Sequence, residues 1–213
     1  MKKIPFFSNL PDGTHCYQAA LKMILTYFTD KEWSFAELDK LSGKLEGKWT
    51  WPTSSLIWLL ENGFEIKLIE EFSYEAFAGR GKDYLIEKCG LEVANAQEAN
   101  SDLAREQLLA RDFLNKGGSV DYRIPAWKDL EFLFKEGYLI ICNINANKLY
   151  DYAGYSGHFV LPIEIDAEQI IINDPGLPPA PGLSVDRNIF EKAWAYPTES
   201  EKNILAIRFP NKM

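Results

Sequence analysis

Two histidines in 213 residues leave almost no room for a histidine-based metal cage, and the three cysteines, Cys16, Cys89 and Cys142, form no CxxC pair. A zinc knot and a disulfide framework are therefore both excluded as the organising principle. Positive charge is also scarce: 23 Lys and Arg stand against 31 Asp and Glu, for a net charge of −8. With no Lys/Arg cluster to neutralise phosphates or meet anionic lipid, no nucleic-acid or membrane partner is expected. No window holds eighteen uncharged apolar residues, and the short apolar run after Lys2 and Lys3 is broken by Pro5, Ser8 and Pro11. Neither a membrane span nor a signal peptide is expected, which points to a cytoplasmic chain. GxGxxG and GxxxxGK[ST] loops, internal repeats and low-complexity stretches are missing too, so nothing implies a nucleotide or another organic cofactor.

What is present is ordinary globular composition, 46% apolar and 25% charged, in a chain long enough for one large domain. From Ala19 to Phe28 only Lys22 and Thr26 are polar. That predicts a helix buried on nearly all sides, opening near Cys16 with Thr14 as its cap. Ser34 and Glu37 have capping-box spacing, Thr53 caps a third helix over 54–62, and Gly63 suits its end. Phe64, Ile66 and Leu68 alternate with charged residues as a short strand.

Residues 71–123 are charged and helical in propensity, with the clearest helix over 94–115 and Leu103, Leu108, Leu109 and Phe113 as its apolar face. This segment reads as a peripheral helical layer or a lid. Pro125 opens a further helix closed by Gly137, and short β-rich runs follow at 138–144, 158–165, 169–173 and 204–209. Proline-rich turns separate them, and Asp186 caps a last helix. Helices first and adjacent strands second predict an α+β fold with a largely antiparallel C-terminal sheet.

A nucleophilic thiol needs a base to ionise it and a third group to orient the base. Cys16, at the start of a buried helix, meets unpaired N–H groups and the positive end of the helix dipole. His158 follows a Gly-rich turn and opens an apolar strand, and Asp174 ends the next one. If the two strands pair antiparallel through a turn near Asp166, the end of the second lies beside the start of the first, next to His158. The 142-residue separation of Cys16 and His158 matches the roughly 130–150 of papain-type enzymes. Cys142 reads as core, Cys89 before Gly90 as a helix end, and His15 as a turn residue. A metal site is not expected. The Trp49-Thr50-Trp51-Pro52 cluster reads either as packing or as cleft wall.

Three stretches resemble the opening of C39-like, papain-fold cysteine peptidases: Ile4-Pro5-Phe6-Phe7-Ser8-Asn9, the turn to Cys16, and Ala19-Ala20-Leu21-Lys22-Met23-Ile24-Leu25. His158-Phe159-Val160-Leu161, Ile171-Ile172-Asn173-Asp174-Pro175 and the Asp129–Leu133 segment with Gly137 resemble that family as well. The similarity covers roughly residues 4–70 and 125–210. It implies one papain-like domain over 1–213, with N-terminal helices, a buried central helix packed on the sheet, and a helical insertion or lid at 71–123. It further implies a thiol hydrolase acting on a peptide or small amide substrate, with Cys16 as nucleophile, His158 as base and Asp174 as its orienting partner. The family's oxyanion Gln has no direct counterpart: Asn9, seven residues before Cys16, is nearest in role, and Gln18 is a second amide candidate. Tyr17 replaces the family's Gly after the Cys. Tyr17, Trp49, Trp51 and Gly157 are the expected cleft residues. The two departures also support a different expectation, a papain-like domain that has lost turnover and serves as a binding or regulatory module.

Overall fold

The computed structural model describes residues 3–210. Helix α1 (Cys16–Thr29) buries nine of its side chains, as its apolar circumference requires. Its N-cap is His15 and not Thr14, and no side chain caps it; the N–H of Thr14 is held instead by Asp12 Oδ1 at 3.0 Å. Helix α2 (Phe35–Ser42) opens on the expected Ser34/Glu37 capping box. Helix α3 (Thr53–Glu61) starts one residue earlier than expected, with Pro52 at the N-cap and Thr53 inside the first turn. Gly63 follows it at φ 77°, a left-handed conformation that suits glycine.

Strand β1 (Glu65–Glu70) leads into a helical layer of α4 (Tyr74–Arg80), α5 (Lys82–Asn100) and α6 (Leu103–Asn115). The single helix expected over 94–115 is thus two, because Asp102 caps a new start by accepting from the Arg105 N–H. Leu103 and Phe113 are buried, but Leu108 faces solvent. α6 packs against α3 and α4. After β2 (Val120–Asp121), helix α7 (Trp127–Lys135) begins beyond Pro125, with Ala126 at its N-cap and the Ala126 N–H held by Asp129 Oδ2 at 2.7 Å.

The remaining elements are β3 (Leu139–Asn145), the single turn α8 (Ala146–Leu149), β4 (Gly157–Ile165), β5 (Gln169–Asp174), β6 (Ala180–Asp186), α9 (Arg187–Trp194), a 3₁₀ turn at Glu199–Glu201 and β7 (Asn203–Arg208). β6 lies partly where the sequence suggested only a proline-rich turn.

Among the described residues the fold is mixed α+β, with one open seven-stranded sheet in the order β2-β1-β7-β3-β4-β5-β6. Every pairing is antiparallel except β1 with β2. Side chains alternate across the strands, so each sheet face carries its own core. Leu139, Ile141, Leu161 and Leu205 join α1, α3 and the helical layer on one face. Ile140, Cys142, Val160 and Ile172 join Trp127 of α7 and Phe190 of α9 on the other. Cys142 is therefore core. β3 is covered on both faces, which explains its apolar run over 139–142. Deleting a fully buried leucine here, such as Leu21 or Leu161, removes contacts worth roughly 2–5 kcal/mol.

The β4–β5 hairpin matters most for the site. Asp166 Oδ1 accepts from the N–H groups of Glu168 (2.8 Å) and Gln169 (2.9 Å), which closes the turn. The register then places Leu161 opposite Asn173, so the end of β5 lies beside the start of β4.

Candidate active site

The hairpin brings Asp174 to His158: the imidazole Nε2 and Asp174 Oδ1 are 2.5 Å apart. With Nε2 engaged there, Nδ1 is the nitrogen left for the thiol, and His158 and Cys16 are close enough for each to shift the other's titration. The sequence pairing of Cys16, His158 and Asp174 is thus a contiguous chain in space. Asp174 is almost fully buried and accepts two further bonds, from the Gly176 N–H at 2.7 Å and from the Tyr150 hydroxyl on Oδ2. A carboxylate with three donors and no room to move is a rigid support for an imidazole ring.

The electrostatics of the three groups are interlocked. Burial raises the Cys16 thiol, but the His158 hydrogen bond and charge, with the backbone N–H groups of Phe159 and Tyr17, outweigh it and leave the pKa lowered. Burial lowers His158, but its bonds to Asp174 and Cys16 raise it to about 9. Asp174 is raised by burial and lowered more strongly by His158, Tyr150 and Gly176. The signs agree in direction: each shift favours the charged forms, thiolate, imidazolium and carboxylate. The N-terminus of α1 adds its own positive end beneath the sulfur.

Asn9 is buried next to this chain. Its backbone N–H donates to the carbonyl of Pro175, one residue past Asp174, at 2.8 Å. Its side-chain oxygen accepts the His15 N–H at 2.7 Å. With the oxygen end anchored, the NH2 end of Asn9 is the end available to a ligand.

Gln18 is elsewhere. Its Nε2 donates to Ser42 Oγ and Thr50 Oγ1, both at 3.1 Å, in a fully buried position. Two residues along a helix turn a side chain by about 200°, so Gln18 faces away from Cys16, and its expected oxyanion role does not fit. Tyr17 is likewise not a cleft residue. It is 1% exposed, its hydroxyl bonds Ser55 Oγ, and its ring lies edge-on to Phe159 at 5.0 Å. The obstruction that would favour an inert site is therefore missing.

Trp49 is half exposed and anchored through its backbone N–H to the Asn100 carbonyl at 2.7 Å. Trp51 stacks on Phe77 at 5.1 Å, donates to Ser101 Oγ at 3.0 Å and lines a cavity beside the sheet. Gly157 is exposed at the start of β4, where a Cβ would come within 2.9 Å of the Tyr155 hydroxyl.

His15 is held by Asp12 at 3.0 Å and by Asp39 at 3.3 Å and has no part in the chain. Cys89 donates to the Leu85 carbonyl just before the break at Gly90, as a helix-end residue does.

Two site residues carry no clear sequence signal. Tyr150 is one of ten tyrosines and stands in no motif. Gly176 belongs to a turn that Pro175 made visible, but a Cβ there would sit 2.9 Å from Asp174 Oδ1 and 3.4 Å from His158 Nε2. The close approach of this backbone to the acid explains glycine at that place. Among the described residues, no helix is long and apolar enough to cross a membrane. No family model and no curated protein matches the chain.

Proposed function

We propose that this chain is a thiol hydrolase of papain-like fold that cleaves a peptide or other amide bond through an acyl-enzyme. The observation that carries this reading is Cys16, at the N-terminus of a buried helix, beside a His158 imidazole that Asp174 holds at 2.5 Å. A merely structural buried cysteine does not hold an imidazole that is itself held by a buried carboxylate.

The thiolate of Cys16 attacks the carbonyl carbon, forming the S–C bond and an oxyanion. The NH2 of Asn9 and the backbone N–H of Cys16 are the donors for that oxyanion. Collapse breaks the C–N bond, and the imidazolium of His158 gives its proton to the departing amine. The neutral imidazole then takes a proton from water, the hydroxide attacks the thioester carbon, and the C–S bond breaks to release the carboxylic acid and restore the thiolate–imidazolium pair. Asp174 keeps the ring oriented throughout.

The test is turnover of a pooled library of fluorogenic peptidyl amides, with intact-mass detection of the acyl-enzyme. The wild type should release fluorophore and carry the acyl group on Cys16. Cys16→Ala should do neither, and equal turnover by Cys16→Ala would exclude the mechanism.

A further inference from the structure

The end of the sheet that holds His158 continues past it. Phe159 pairs with Asn143 on β3, and Asn203 at the start of β7 pairs with Glu70 at the end of β1. These residues line a cavity of about 210 Å³, roofed by Trp51 and Phe72. Phe159, the residue next to His158 on β4, also lines this cavity. Strands lie about 4.8 Å apart, so Glu70, three strands over from His158, is roughly 14 Å away. One or two extended residues and a long side chain span that distance.

The cavity wall is aromatic and its far end is acidic. Glu70, Glu71 and Glu201 line it, with Lys88 and Lys202. Lys202 is already paired to Glu199 at 2.6 Å. Glu70 lies near Tyr74 and Lys88, and no lysine or arginine among the described residues forms an ion pair with it. Burial, offset in part by Tyr74 and Lys88 and reinforced by Glu201, pushes its carboxyl up to about 7. On the floor, the side-chain oxygen of Asn143 has no hydrogen-bond partner. Glu70 is partly buried, and a carboxylate in such a place gains from a paired cation. A guanidinium entering between aromatic faces would supply the missing charge, paired donors and a planar surface to stack.

We propose that this cavity is the subsite that selects the substrate, and that it takes an arginine side chain of a peptide whose scissile bond lies at Cys16, with Glu70 as the counter-charge. The inference rests on the hydrolase reading and adds its substrate class. It also gives residues 71–123 a role: Phe72, Tyr74 and Lys88 from that segment complete the cavity.

The test uses the full chain and tripeptidyl chloromethyl ketones carrying arginine or its neutral isostere citrulline at each of the three positions. Inactivation at Cys16 is normalised to iodoacetamide, which has no side chain to place in the cavity. At one position arginine should react about tenfold faster than citrulline or more, and Glu70→Gln should bring the ratio to within about twofold. A ratio within about twofold at every position, in a protein whose Cys16 reacts readily with iodoacetamide, would overturn the proposal and leave the hydrolase reading intact. A preference for arginine that survives in Glu70→Gln would overturn it as well. If Cys16 is inert to iodoacetamide, the hydrolase reading fails, and calorimetry with the tripeptide amides reads the cavity alone. Tighter arginine binding lost in Glu70→Gln would support the cation site, and equal binding of arginine and citrulline would overturn it.

Discussion

Asp174 is the residue on which the site turns, because it takes three donors at once in a nearly dry position. The Tyr150 hydroxyl is the one of the three that a conservative substitution removes. It lowers the carboxyl pKa of Asp174, so Tyr150→Phe raises the pH at which Asp174 protonates and releases His158. The acid limb of Cys16 alkylation should therefore move to higher pH. A limb that stays in place would show that Tyr150 only packs. Cys16, His158 and Asp174 were legible from the chain because each sits at an element boundary that periodicity marks: a helix start, a strand start, a strand end. Tyr150 was not, since nothing local distinguishes a tyrosine whose partner is 24 residues away. Gln18 looked close to Cys16 along the chain, but helical rotation sends it to Ser42 and Thr50.

Among the elements, those with strong local rules matched expectation. The Ser34/Glu37 box, the Asp166 turn and the Asp186 cap all form hydrogen bonds within a few residues. Asp186 accepts from the N–H groups of Asn188 (2.8 Å) and Ile189 (3.4 Å) at the start of α9. Asp186→Ala should cost about 1 kcal/mol in urea unfolding. α9 covers the sheet face opposite α1, so the change should leave Cys16 alkylation unaltered. No loss of stability would mean that tertiary packing alone fixes this helix. β6 escaped the sequence reading because Pro178-Pro179-Ala180-Pro181 signals a turn. As the edge strand of the sheet it has one side free of ladder bonds, the setting in which a strand tolerates proline. The split between α5 and α6 was hidden because both halves share helical composition; only the Asp102 cap separates them.

At the scale of the whole molecule, the helical layer is tied to the rest through buried acid. Glu106 of α6 is 6% exposed, lies near Thr53 of α3 and leaves one carboxyl oxygen without a partner. Burial pushes it up to about 7, with Arg105 opposing and Asp102 adding to the rise. The folded state then holds a proton that the unfolded chain releases near pH 4.5, so Glu106 reduces stability as pH rises from there to about 7. The full effect above that pH is on the order of 3 kcal/mol. Glu106→Gln should be more stable than wild type at pH 8 and indistinguishable from it near pH 4.5; equal stability at both would refute a buried acid cost.

The same packing holds α1 against β4 and so fixes the thiol beside the imidazole. That juxtaposition is tested most directly by the rate of iodoacetamide alkylation at Cys16 from pH 4 to 9, in wild type and His158→Ala, read by peptide mass. Cys89, whose thiol burial raises, serves as the reference within the chain. The thiolate–imidazolium pair predicts fast labelling of Cys16 well below the free-thiol pKa of roughly 8.5, lost in His158→Ala. Slow labelling that rises only above about pH 8, in both proteins alike, would contradict it.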